Sequence, residues 1–236
     1  MTVATRRTGL AKEQNQTFYR IIRVFFTLLF RYWVRCFRVT GAVCIPSEGG
    51  AFLIANHSSA LDPFVLAAPV KNRILVGPGK IELFRHPVVG FLMKKLGIFP
   101  LRRDVIDSAA VRTMVGEYRA GRVVIVYPEG GRSKTGDLLA FDEGFARLAI
   151  KLRAPLIPAG MSGAREVLPI GRLIPRRNTP LAVCYGRQFD LSRFYGQDLT
   201  ESLLAEAAET MRAAVQEQVW AAARMCRDLA EDPRTT

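Results

Sequence analysis

The chain has 236 residues, with 34 Lys and Arg against 21 Asp and Glu, for a formal net charge of +13 at pH 7. Its 49% hydrophobic and 23% charged residues suffice for one folded domain and exclude wholesale disorder. The positive balance points to an anionic partner, whether nucleic acid, acidic lipid or a phosphorylated substrate. Residues 1–50 carry net +6, residues 51–197 net +11 and residues 198–236 net −4. No run of five Lys or Arg occurs, which argues against a nucleic-acid-binding tail. Cys36, Cys44, Cys184 and Cys226 are dispersed without CxxC or Cys/His spacing, which predicts reduced thiols and no metal site. Arg6–Arg7 echoes a twin-arginine signal, but an arginine-studded stretch follows it and no A-x-A cleavage site is seen.

Residues 15 to 39 form the most apolar stretch and read as one amphipathic helix. At ~100° per residue, Gln16, Arg20, Arg23, Thr27, Arg31, Arg35 and Arg38 fall within an arc of about 120°. The longest uncharged run, Val24 to Phe30, has seven residues, far short of the ~18 expected of a membrane span. Such a helix suits the bilayer interface. Its face of Phe18, Ile22, Phe25, Phe26, Leu29, Tyr32 and Trp33 would enter the acyl boundary while the arginines meet lipid phosphates. Packing of that face on the protein's own core is the alternative, and the two can share the face. A boundary near Thr40–Ser47 separates this segment, residues 1–40, from a body of residues 41–236.

The body alternates short apolar runs with helical stretches. Ala51–Ala55 reads as a buried strand, and Asp62–Pro63 opens a helix with Asp62 as N-cap. Ile74–Val76 is a short strand, Pro87–Leu96 a helix stopped at Gly97, and Asp107–Ala120 a helix closed by Gly121. Val123–Tyr127 is a second buried strand. Glu143–Leu152 reads as a helix, Pro155–Ile157 and Leu181–Tyr185 as strands, and Thr200–Leu229 as a long covering helix. The pattern predicts an α/β fold: a mixed, mostly parallel sheet covered by helices, preceded by an interfacial amphipathic helix.

Only two histidines are available for chemistry. His86, beside Arg85 and Pro87, has no acidic neighbour and reads as structural. His57 follows a buried strand, on the edge where α/β folds gather functional groups, and Asp62 comes five residues later. A loop of that length can return the carboxylate to the imidazole, fix its tautomer and support proton abstraction; the competing role for Asp62 is helix capping alone. Ser58 is badly placed for activation by its neighbour His57. The second strand delivers Pro128-Glu129-Gly130-Gly131-Arg132-Ser133, a glycine turn whose N–H groups and guanidinium suit a phosphate or an oxyanion. Between them, Arg102 either binds phosphate or pairs with Asp104.

Taken together and in order, these segments resemble the glycerolipid acyltransferase family, whose members include 1-acylglycerol-3-phosphate acyltransferases. N-H-x-S-x-x-D reads as Asn56 to Asp62, G-x-F-x-x-R as Gly97, Phe99 and Arg102, P-E-G-T-R-S as Pro128 to Ser133, and an apolar pair before proline as Leu156-Ile157-Pro158. Gly131 departs from the family's threonine. The resemblance covers roughly residues 41 to 190. It implies that His57 deprotonates the free hydroxyl of a lysophospholipid, which attacks the thioester of acyl-CoA or an acyl carrier protein, with Asp62 orienting His57. It further implies that Arg102, Glu129, Gly130, Gly131 and Arg132, with Lys80 as a further basic candidate, hold the acceptor's phosphate. No metal or cofactor is implied. The expected setting is an anionic membrane surface on the cytoplasmic face of the cell membrane, with no nucleic-acid partner. Another lysolipid or glycolipid acceptor, or a non-catalytic lipid binder, are the rival readings.

Overall fold

The computed structural model describes residues 15–34, 36–102, 107–172 and 174–231. Seven strands form one sheet in the order β1-β7-β6-β2-β5-β3-β4. They are β1 (Cys36–Thr40), β2 (Ala51–Ala55), β3 (Leu75–Lys80), β4 (Ile98–Leu101), β5 (Val123–Val126), β6 (Leu156–Ser162) and β7 (Pro180–Tyr185). Every neighbouring pair is parallel except β6 with β7. The mixed, mostly parallel sheet is the one the apolar runs predict. Central strands β2 and β5 are buried at every residue, as continuous apolar runs covered on both faces must be.

The alternation of side chains along each strand divides the core in two. Leu53, Ile125 and Val183 face one layer, formed by α1 (Gln16–Trp33) and α2 (Asp62–Ala67). Phe52, Ile54 and Val124 face the other, formed by α4 (Ser108–Arg119), α5 (Glu143–Leu152) and α7 (Glu201–Glu231). The shorter α3 (Pro87–Lys95) and α6 (Ala164–Val167) flank the sheet. Asn15, Asp107 and Asp142 cap the first turns of α1, α4 and α5 with side-chain oxygens. Gly160 lets α7 approach β6: a Cβ there would lie 2.1 Å from the Gln218 backbone.

Four expectations are corrected. The N-terminal helix does not run to residue 39. It stops at Trp33, Val34 turns extended, and Cys36–Thr40 pairs with β7 as an edge strand. Sheet pairing, invisible to helical periodicity, claims these residues, so the sheet begins before the boundary read at residue 41. Gly77-Pro78-Gly79-Lys80 continues the strand read as Ile74–Val76, and Ile98–Leu101, to which the sequence assigned no element, pairs with it. The strand read as Pro155–Ile157 extends to Ser162 between β2 and β7. Asp62 is the first residue of its helix and makes no capping bond there, because its carboxylate turns back toward the preceding loop.

Helix α1 also divides its apolar surface differently from the expectation. Tyr19 and Phe30 are buried, Phe26 stacks on Phe64 at 4.0 Å, and the Trp33 indole donates to Pro175 O at 3.2 Å. The outward face is still apolar: Ile21, Val24, Phe25, Leu28 and Tyr32 are exposed, Tyr32 by 75%. Arg20 and Arg31 flank it, whereas Arg6, Arg7 and Arg35 lie outside the described residues. Among the described residues no helix is long and apolar enough to cross a membrane.

Candidate active site

Strand register creates the site. Ile54 lies opposite Val126 in the parallel β2–β5 pair, so the loops that follow both strands leave the sheet side by side. Asn56 fastens the first loop: its amide donates to Met161 O at 3.0 Å and accepts from Met161 N at 2.8 Å. Ser133 N donates to His57 O at 2.7 Å, joining the two motif loops directly.

His57 Nδ1 lies 2.7 Å from Asp62 Oδ2, and both side chains are buried. The same oxygen accepts from Ser58 N at 2.7 Å and Ser59 N at 2.9 Å. An oxygen already receiving two N–H donors fixes the proton on Nδ1 and leaves Nε2 as the acceptor nitrogen of the ring. Ser59 is not a nucleophile: its hydroxyl donates to Leu168 O at 2.8 Å. His86 caps α3 by accepting from Val89 N at 3.4 Å.

Glu129 takes a different place from the one expected of a phosphate-holding residue. Its carboxylate accepts from His57 N at 2.6 Å and from Leu139 N at 2.9 Å, and it is not in the wall of the cavity. It bridges the histidine loop to the chain beyond the glycine turn. Burial pushes its pKa from 4.5 to about 7, against the two N–H bonds and with a small push from Asp62. A raised native pKa means the folded chain takes up a proton between pH 4.5 and about 7. The stabilisation is therefore complete below pH 4.5 and is lost as pH rises through about 7. Glu129→Gln, neutral at every pH, should become more stable relative to the parent chain across that window. Urea unfolding of both at pH 5 and 7.5 checks this, and an unchanged difference would contradict it.

A cavity of about 280 Å³ opens at His57. Lys80, Gly130, Gly131 and Arg132 are in its wall, so four of the expected binding residues gather there. Arg132 has no partner among the described residues, and Lys80 makes only an exposed 3.7 Å pair with Glu82. Arg102 is not in the wall: it is exposed at the end of β4, one residue beyond the wall residue Leu101. Asp104, its expected alternative partner, lies outside the described residues, as does Arg103. A Cβ at Gly131 would meet nothing within 4 Å, so packing does not explain the missing threonine.

A second, apolar chamber of about 290 Å³ lies next to it beneath α1, and Ala60, Pro63, Pro78, Gly79 and Leu83 line both. None of these was legible as a site residue, because the chamber's wall comes from α1, α2, β3 and α3 together. Tyr127 was also missed. Its ring stacks on the His57 imidazole at 4.1 Å and 14°, and its buried hydroxyl has no hydrogen-bond partner among the described residues. Burial and the Asp62 charge hold that phenol well above its ordinary pKa. Strand register, which places Tyr127 beside the end of β2, is the signal that sequence lacks.

Known proteins resemble this chain. A family model described as Acyltransferase matches residues 36–162. The chain is 29% identical over 122 residues to a 1-acyl-sn-glycerol-3-phosphate acyltransferase of Borreliella burgdorferi, covering 51% of this chain and 48% of that one. Its likeness to the protein of the same name from Bacillus subtilis is 26% over 132 residues, covering 55% and 65%. The matched segments thus span from about half to just under two thirds of these relatives. The crystal structure of the 1-acyl-sn-glycerophosphate acyltransferase PlsC from Thermotoga maritima superposes with a TM-score of 0.68 at 25% identity, covering 84% of this chain and 78% of that one. With the family match extending over more than half of its length and the paired His57 and Asp62 at its centre, the chain belongs to the Acyltransferase family.

Proposed function

We propose that the protein moves a fatty acyl group from acyl-CoA or an acyl carrier protein to the free hydroxyl of 1-acylglycerol-3-phosphate, giving phosphatidic acid. The observation that carries this is the 2.7 Å His57–Asp62 pair at the wall of a cavity with cations on one side and an apolar chamber behind. Nε2 of His57 takes the proton of the acceptor hydroxyl as its oxygen attacks the thioester carbonyl. The tetrahedral adduct then collapses, the C–S bond breaks, and the imidazolium returns its proton to the departing thiolate. Asp62 stabilises the imidazolium formed between these steps. Arg132 and Lys80 face the acceptor's phosphate, and Gly131 brings main chain to the same wall, while the Gly130 N–H is taken up by Tyr127 O at 3.1 Å. The apolar chamber takes an acyl chain, whose burial is favourable by about 0.8 kcal/mol per methylene. Thioester transfer to a panel of lysolipid acceptors from both donors tests the substrate assignment. Preference for an acceptor without a phosphate would overturn it.

The setting we propose is an anionic membrane surface, with α1 lying in the interface. Its outward Ile21, Phe25, Leu28 and Tyr32 enter the acyl boundary, while Arg20 and Arg31 meet headgroups. The cytoplasmic leaflet is part of this proposal, in keeping with four free thiols. Phe25 and Leu28 are exposed, so Phe25→Glu with Leu28→Glu should leave thermal unfolding nearly unchanged while lowering vesicle binding about tenfold or more. Co-sedimentation measures this, and full binding by the double variant would exclude insertion of this face.

A further inference from the structure

A second cleft lies at the N-terminal ends of the strands, opposite the end that carries His57. The N-terminal half of α1 forms one wall, with Gln16, Arg20 and Arg23; the loops before β2, β3 and β5 form the others. It measures about 520 Å³, and five cations line it: Arg20, Arg23, Lys71, Arg73 and Arg122. Glu48 is the one acidic residue in its wall.

Three of these cations are held in place by the fold. Arg73 donates to Pro46 O at 3.0 Å, to Gly49 O at 2.8 Å and to Gly121 O, stapling the loops before β2 and β5. Arg122 pairs with the buried Glu117 at 3.0 Å, and Arg23 donates to Ala68 O at 3.3 Å. Arg20 and Lys71 enter the wall with no partner among the described residues. Burial and the neighbouring Arg122 charge both disfavour the charged form of Arg73. A concave site that fixes guanidinium groups close to one another gains when an anion enters, and planar guanidinium donors match phosphoryl oxygens in pairs. Its wall is far more polar than that of the apolar chamber on the other side of Tyr19. The five residues of β2 separate the cleft from the catalytic loop by about 17 Å, so it is not the acceptor-phosphate subsite of the same turnover.

We propose that this cleft is a second anion site, which binds a phosphoryl group through Arg20, Lys71, Arg73 and Arg122. A lipid headgroup and a free phosphate share that chemistry. The site opens along the arginine flank of α1, where an adjoining groove adds Arg31 beside Arg23 and Lys71. It is assigned independently of the acyl-transfer reading, because its occupancy is measured without turnover.

The test is calorimetric titration of the full chain with inorganic pyrophosphate, alongside co-sedimentation with phosphatidylcholine vesicles with and without phosphatidylglycerol. Arg20→Glu and Lys71→Glu remove exposed, unpartnered cations and so spare the fold. Each should weaken pyrophosphate binding about tenfold or more, the scale of one lost charge-assisted contact. Arg187→Glu, an equal charge change at an exposed position outside the cleft, should change it less than about twofold. Arg132→Ala reports any pyrophosphate taken up at the catalytic cavity, and in that background the losses from Arg20→Glu and Lys71→Glu should be unchanged. Loss of anionic-vesicle binding in the first two variants beyond that in Arg187→Glu identifies a headgroup as the ligand. Loss of pyrophosphate binding with vesicle binding retained identifies a soluble phosphate. Absence of both effects, or equal losses in Arg187→Glu, overturns the proposal.

Discussion

His57→Ala should lower acyl transfer by about 10²- to 10⁴-fold, the usual contribution of a positioned general base, while the chain stays folded. The histidine contributes little to the core beyond its stacking on Tyr127, and its loop is held independently by Asn56 on Met161 and by Ser133 on the His57 carbonyl. The expected signature is a fall in kcat with vesicle binding retained, since the outward face of α1 is untouched. A variant that folds, binds vesicles and turns over at the parent rate would remove His57 from the mechanism.

Asp62 is expected to separate into two effects, one on stability and one on rate. Asp62→Ala removes an oxygen that accepts from Ser58 N, Ser59 N and His57 Nδ1, leaving buried donors without a partner. A cost on the order of 3 kcal/mol follows, together with near-complete loss of activity. Asp62→Asn can put its amide oxygen where Oδ2 sits and keep all three donors satisfied, with its nitrogen in the place of Oδ1, which has no partner among the described residues. That variant should fold almost as well as the parent yet lose about 10²-fold or more in kcat, because the negative charge that steadies the imidazolium is gone. Chemical denaturation and initial rates on the two variants check this. Equal stability of the alanine variant, or full activity of the asparagine variant, would contradict the assignment.

How much was legible beforehand follows from which interactions are local in sequence. The 51–55 strand and the 143–152 helix come out with the bounds read from their apolar patterns, because burial and capping by Asp142 act within a few residues. The His57–Asp62 pair was legible for the same reason: five residues of loop close it. What depended on distant partners was not. Cys36–Thr40 becomes a strand only because β7 offers it an edge, and Ile98–Leu101 only because β3 does. Glu129 looked like a ligand-binding carboxylate in its motif, yet it serves two backbone N–H groups, one of them 72 residues away in the chain. Lys80 reaches the cavity from the end of β3 and Arg132 from the loop after β5, while Arg102 stays outside it. Tyr127, the apolar chamber and the basic cleft all arise from register and layer packing, to which no single segment testifies.

Direct transfer requires His57 to act on the acceptor hydroxyl, with no acylated protein between donor and product. Thiol release from long-chain acyl-CoA, and in parallel from acyl carrier protein, should be followed with and without 1-acylglycerol-3-phosphate in vesicles. Direct transfer predicts thiol release only when the acceptor is present, matched one for one by phosphatidic acid and lost in His57→Ala. A burst of thiol without acceptor, or no transfer from either donor, would contradict it.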